Sequence, residues 1–143
     1  MKKNSTDRKK LIKECDRLFS LYIRKRDKFC QAPNCNKPAQ HCAHIFSRKN
    51  HSVRWYPDNA ISLCYRHHIH WAHKEVMEFA EFIQKRLGKR RYDLLKAKKN
   101  NLSKVDMQLT LLWLEQELNL NHEACSLYDA EKRNNLCLVV GDK

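Results

Sequence analysis

The spacing of cysteine and histidine constrains this chain most. Cys30-x4-Cys35 and Cys64-x2-His67 place four soft or borderline ligands in two short pairs, leaving over His41, His44, Asn59 and His68. Closed tetrahedral zinc sites are assembled from such pairs, so the spacing predicts one structural zinc on Cys30, Cys35, Cys64 and His67. An alternative set takes Cys64-x3-His68 and frees His67. Disulfides fit the pattern poorly. Seven cysteines are an odd number, Cys15, Cys42, Cys125 and Cys137 stand alone, and no charged-then-apolar leader is present. In a reducing compartment, paired spacing with a nearby histidine favours metal. No apolar run is long enough to span a bilayer, so the expected location is cytoplasmic, with no membrane partner.

A length of 143 residues predicts a single domain, 1–143, whose modest core a metal would reinforce. Two glycines and three prolines point to a mostly helical chain. Residues 6–27 read as a helix that Ser5, Thr6 or Asp7 can cap, with Leu11, Cys15, Leu18 and Tyr22 on its apolar stripe. Lys9, Lys10, Lys13, Arg17 and Arg24 occupy its opposite face. Residues 28–73 form the expected zinc-bound core: a Pro33-Asn34 knuckle, a strand over 39–46, a polar loop, a second strand from Asn59 to Cys64, and a helix from about Tyr65. In residues 74–120, Val76, Phe79, Ile83 and Leu87 make a helical stripe that stops at Gly88, and a basic helix follows over 89–99. Ser103 and Asp106 resemble a capping box opening a last helix, with Val105, Leu109, Leu112 and Trp113 on its inner face. Residues 121–143, with the apolar run Leu136 to Val140, carry no assignment. The expected fold class is therefore α+β and mostly helical, a small zinc-stapled ββα core with flanking helices.

The formal net charge of +13 is unevenly spread: residues 1–104 hold 26 Lys/Arg against 9 Asp/Glu, and residues 105–143 hold 3 against 7. Such a field attracts polyanions and makes their binding salt-dependent, although a solvated basic surface has the same composition. Arg48 and Arg54 flank the hairpin loop, where a planar fork matches two phosphate oxygens, and Lys89, Arg90 and Arg91 open the basic helix. These five are the candidate DNA contacts. Trp55 and Trp71 are read as core or wall residues, because large aromatics usually bury.

His44, Asn59 and His68, in that order and ending beside a zinc ligand, resemble the pattern of HNH endonucleases. That resemblance implies a ββα-metal core holding one catalytic cation, Mg²⁺ or another divalent ion, next to a general base. His44 suits the base, because a neutral imidazole accepts a proton near pH 7. Asn59 would orient the His44 ring by hydrogen bonding, and His68 would bind the cation. Neighbouring residues point about 100° apart around a helix, so His67 can face zinc while His68 faces the active site. His41 is a further candidate for the cation, but His41 and His44 share a face only at a bulge or a strand end. His51, His70, His73 and His122 are read as hydrogen-bonded or surface residues.

The run Leu18-Phe19-x2-Tyr22-Ile23-Arg24-x-Arg26-Asp27, the segment Ala43-His44-Ile45-Phe46-Ser47-Arg48, Arg54-Trp55-x2-Asp58-Asn59 and the Cys64 cluster together resemble the phage NinG (Rap) recombination proteins, over about residues 11–118. These are HNH-type nucleases of branched recombination intermediates. The resemblance implies a metal-dependent DNA endonuclease acting on branched or junction DNA in a bacterial host cell. Cutting two strands symmetrically would suit a homodimer. The chain departs from that family in carrying His41 where an Asp is usual, and His67-His68 where Cys-Asn is usual. The alternatives are a non-catalytic zinc-dependent DNA-binding module and an HNH nuclease of homing or restriction type.

Overall fold

Helix α1, Ser5–Asp27, forms because its apolar residues recur every three or four positions, so that Cys15, Leu18, Phe19 and Ile23 share one buried face. Asp7 in its first turn and Arg24, Lys25 and Arg26 in its last complement the helix dipole. Beyond Asp27 the backbone of Lys28 turns left-handed (φ 62°) while its N–H closes on the Arg24 carbonyl at 3.0 Å. The computed structural model describes residues 5–119, so the unassigned tail 121–143, with His122, Cys125 and Cys137, lies outside it.

The chain then makes a knuckle tied by Cys30 N–H to Lys37 O (2.8 Å) and Cys35 N–H to Ala32 O (3.2 Å). Asn34 adopts φ 56° there, a conformation that asparagine tolerates better than most residues. Strands β1 (His41–His44) and β2 (Ala60–Leu63) pair antiparallel, with His41 opposite Leu63 and His44 opposite Ala60. Both are shorter than the sequence predicts. The segments beyond them serve the knuckle and the hairpin loop, whose short 3₁₀ turns are His51–Val53 and Pro57–Asn59.

All four residues of β2 are buried because this strand is a wall between two cores. Ala60 joins Cys15, Leu18, Phe19, Ile23, Trp55, Leu114 and Leu118, whereas Ile61 and Leu63 join Cys30, Ala32, Ala43, Cys64, Phe79 and Ile83. The period-two alternation of a strand assigns each side chain its core.

After Cys64 the chain does not wind as the expected α-helix. His67–Ala72 is a π-helix, a form that recurs at functional sites. Helix α2, Val76–Asn100, follows and is interrupted where expected, at Gly88 (φ 75°, ψ 158°). A β-carbon there would touch nothing within 4 Å, so the barrier to other residues is backbone conformation rather than space. The half after Gly88 braces the hairpin loop through the Arg91 fork on Asp58 and Ser52 Oγ donating to Lys99 O at 3.1 Å.

A third helix, α3, covers 107–119 and returns to α1. Its cap is Asp106 rather than Ser103: Asp106 Oδ1 accepts from the N–H groups of Gln108 (2.9 Å) and Leu109 (3.2 Å). That start turns Leu111, Leu114 and Leu118 inward and leaves Leu109 and Leu112 exposed, reversing the expected place of those two. Trp113 does meet Tyr22, edge on, at 5.2 Å. A helix this short is marginal alone, so its packing on α1 holds it. No described helix is long and apolar enough to cross a membrane.

Candidate metal centre and adjoining cleft

Cys30 follows the end of α1, Cys35 sits in the knuckle, Cys64 ends β2 and His67 opens the π-helix. Their donor atoms all lie within 4.8 Å of one another. His67 Nδ1 is 3.4 Å from Cys30 Sγ and 3.3 Å from Cys64 Sγ. With Zn–S near 2.3 Å and Zn–N near 2.0 Å, the sulfur-to-nitrogen edge of a tetrahedron is about 3.5 Å, so the four residues can hold a metal ion such as zinc. His67, and not the alternative His68, completes the set. Burial pushes the Cys30 thiol up to about 11. Burial acts the same way at Cys64, but hydrogen bonds from the His67 backbone and from the Cys30 and Cys35 side chains outweigh it and bring that thiol down.

Beside this centre, between α1, β1, the hairpin loop and the π-helix, lies a cleft of about 1090 Å³ whose lining includes Asp16, His41, His44, Arg48, His68 and His73. His41 and His44 reach it together because they sit at the two ends of a four-residue strand. His44 Nε2 lies 3.0 Å from the Arg54 carbonyl. A carbonyl only accepts, so Nε2 carries the proton and Nδ1 keeps the lone pair of the neutral ring. Among the described residues Nδ1 has no hydrogen-bond partner, and it is not sealed from solvent. The Phe19 ring packs 5.7 Å from that of His44, and burial holds the imidazole below its ordinary pKa.

His68 stacks on His41 with ring centroids 5.0 Å apart and meets His73 edge on, their Nε2 atoms 3.3 Å apart. Its Nδ1 is buried without a partner among the described residues. Burial, followed by His73, His41, His44 and Arg48, pulls the His68 imidazole down to about 4. The histidine whose nitrogen approaches His68 is thus His73, exposed and hydrogen-bonded as expected from the sequence, whereas His41 offers its ring face. The available signal is the interval: His68-x4-His73 is five residues, the hydrogen-bond step of a π-helix, and not the three or four of an α-helix.

Two expected roles need correction. Asn59 does not orient the His44 ring. It is fully buried, its Nδ2 donates to Phe46 O (3.0 Å) and Val53 O (2.9 Å), and its Oδ1 accepts from Phe46 N–H (2.8 Å), so it clasps the hairpin loop on which the site is built. The ring is oriented instead by the Arg54 backbone. The Arg54 side chain is likewise no free phosphate fork: Nε and Nη2 bind Asp16 at 2.9 and 2.6 Å, and Nη1 donates to Arg48 O at 3.1 Å.

In the basic helix, Lys89 pairs with Asp93 at 2.6 Å and Arg91 with Asp58, which leaves Arg90 exposed with no hydrogen-bond partner among the described residues. Arg48 is exposed at the rim of the cleft. Trp55 and Trp71 are wall residues, as expected: Trp55 is buried with Nε1 on Asp16 (2.9 Å), and Trp71 packs on Phe79 and Phe82. Asp16, which no sequence signal marks, emerges as a cleft residue. The chain matches none of the family models, curated proteins or solved structures with which it was compared.

Proposed function

We propose that this chain is a metal-dependent DNA endonuclease of the HNH kind, built on a zinc-stapled ββα-metal core and hydrolysing phosphodiester bonds in branched recombination intermediates. The activity rests on one observation: a half-buried imidazole, His44, has its Nε2 proton committed to a backbone carbonyl and its Nδ1 lone pair open, in the same cleft as the paired ring nitrogens of His68 and His73. The branched substrate, the phage setting and a homodimeric assembly rest on the resemblance to NinG proteins.

In this reading His44 Nδ1 takes the proton of the attacking water, and the Arg54 carbonyl holds the imidazolium that results. Arg48, at the rim, contacts a phosphate next to the scissile one. A divalent cation, when bound, supplies charge for the transition state and the leaving oxygen. His68 and His73 would hold it. Asp16, the carboxylate lining the cleft, is already engaged by Arg54 and Trp55. A nitrogen donor set suits nickel, copper or zinc better than the hard, oxygen-seeking Mg²⁺.

The test is incubation with four-way junction, flap, duplex and single-stranded DNA, each with Mn²⁺, Ni²⁺, Mg²⁺ or no added cation. Cleavage favouring branched forms, and stronger with Ni²⁺ than with Mg²⁺, is expected. Binding with no cut product under any condition would favour the zinc-dependent DNA-binding module instead. His68→Ala and His73→Ala are each expected to lose cleavage and to recover part of it at higher cation concentration, because the lesion is in metal affinity; a loss that no concentration relieves would remove these residues from the cation site.

Neutralising Arg48 and Arg90 together is expected to weaken binding to every DNA form and to reduce the slope of log affinity against log salt by about 0.9 for each phosphate no longer neutralised. Arg91→Ala should leave that slope alone and lower the melting temperature slightly, since its pair with Asp58 is solvent-exposed. An unchanged slope in the double variant would move the DNA surface to the basic face of α1.

A further inference from the structure

Asp16 stands 38 positions before Arg54 in sequence, yet its carboxylate accepts three hydrogen bonds: from Arg54 Nε, from Arg54 Nη2 and from Trp55 Nε1. Only 21 % of the Asp16 side chain and 15 % of the Arg54 side chain are exposed. Burial works against the ionised carboxylate, but the bonds from Arg54 and Trp55 prevail and hold Asp16 below its usual pKa, so it is charged at neutral pH. Bidentate pairing fixes direction as well as distance, which a single contact does not.

Arg54 is therefore gripped by its side chain while its main chain does something else. Its carbonyl takes the His44 Nε2 proton, and its Nη1 holds the carbonyl of Arg48. Asp16 also lies three residues before Phe19, and residues at that interval share a face of a helix. One face of α1 thus addresses the base twice: Phe19 packs on the His44 ring, and Asp16 fixes the residue whose carbonyl orients it.

We infer that Asp16 is a positioning residue for His44: acting through the Arg54 guanidinium, it places the Arg54 carbonyl so that His44 keeps the proton on Nε2 and presents Nδ1 to the cleft. The same fork sets the loop carrying Arg48 at a fixed distance from the base. Its consequence for cleavage rests on the nuclease reading of the site; its consequence for the His44 ring does not. Asp16 touches no reacting atom. Its loss should therefore act on turnover and ring state, not on binding of DNA.

The experiment uses the zinc-loaded full chain, labelled with ¹⁵N, and reads the His44 tautomer from long-range proton–nitrogen NMR correlations alongside kcat and KM for DNA cleavage. Wild type should show the Nε2–H tautomer alone. Asp16→Asn, which keeps an acceptor for Trp55 but loses the charged fork, should give a mixture of tautomers. Its kcat should fall roughly ten- to a hundred-fold with KM nearly unchanged, the scale on which misplacement of a catalytic group acts.

Arg54→Lys keeps the charge but not the fork, and should show the same shift to a smaller degree; it also carries the test if Asp16→Asn does not fold. Leu118→Ala, in the core against α1 and away from the cleft, should lower the melting temperature without altering the tautomer. A pure Nε2–H ring and unchanged kcat in both cleft variants would overturn the proposal, as would an equal tautomer shift in Leu118→Ala. Absence of cleavage by wild type would count against the nuclease reading alone, because the tautomer still decides the role of Asp16.

Discussion

Cys30→Ser is expected to abolish zinc binding and unfold the core that surrounds the metal centre, rather than merely lower its melting temperature. Cys30 and Cys64 are themselves buried members of that core, and Ala32 and Ala43 supply little apolar area beside Ile61, Leu63, Phe79 and Ile83. A structural zinc in a small module contributes about 10–16 kcal/mol, comparable to or larger than the whole stability of an ordinary domain at about 5–15 kcal/mol. Once the metal is gone, the remaining packing cannot replace it. Elemental analysis should find one zinc per chain in wild type and none in Cys30→Ser, with loss of the cooperative thermal transition. Cys42→Ala, whose thiol lies outside the tetrad, should keep its zinc. A wild type without zinc, or a Cys30→Ser variant that melts as wild type does, would dispose of the structural metal.

The Cys/His cluster that could hold a metal is legible in the sequence because each pair closes a short loop, so spacing in sequence reports distance in space. The stripe of α1 is legible for a similar reason: helical period is a local property, and Cys15 and Leu18 are buried where it places them. What stays hidden is long-range or non-standard. Nothing in the sequence couples Asp16 to Arg54, since a salt bridge between an α1 residue and a loop residue depends on how two elements dock. Arg54 therefore reads as a free phosphate fork. Asn59 is found at the right place but with the wrong partner, because an amide can clasp backbone as readily as a ring, and burial at 0 % exposure decides for backbone here. His73 escapes notice because α-helical intervals do not reach it, whereas the chain here winds as a π-helix. In α3 the apolar pattern is visible on two faces, and only the cap at Asp106 settles which of them turns inward.

The two cores also bear on how the candidate site is held. The Cys30–His67 cluster anchors one end of the π-helix that carries His68 and runs into His73, and α1 anchors His44 through Phe19 and Asp16. His44 and the ring-nitrogen pair are thus anchored to different packing units, which meet across the β1–β2 sheet. Loss of zinc should disturb the His68–His73 approach before it disturbs the His44–Arg54 bond, which is why catalytic variants are best compared in zinc-loaded protein.

His44→Ala is the substitution expected to silence the proposed nuclease activity while sparing everything else. Loss of a general base typically costs on the order of 10²–10⁴ in rate. The side chain makes one hydrogen bond and one ring contact, and the Asn59 clasp on Phe46 and Val53 holds the loop without it. DNA affinity should stay near wild type, because affinity for a polyanion comes from the basic surface. The pH profile provides the second reading. Burial lowers the His44 pKa, so the neutral, competent ring persists below pH 6.5, and wild-type cleavage should rise with pH through a midpoint under that value and then level off. The linkage sign agrees: between the folded pKa and 6.5 the unfolded chain binds more protons at this ring, so its contribution to stability is complete above 6.5 and is lost as pH falls through that window. His44→Ala should remove both the kinetic midpoint and this share of the acid destabilisation. Equal losses of binding and cleavage would instead assign His44 to the DNA surface or the fold, and an unchanged rate would move the base to another residue of the cleft.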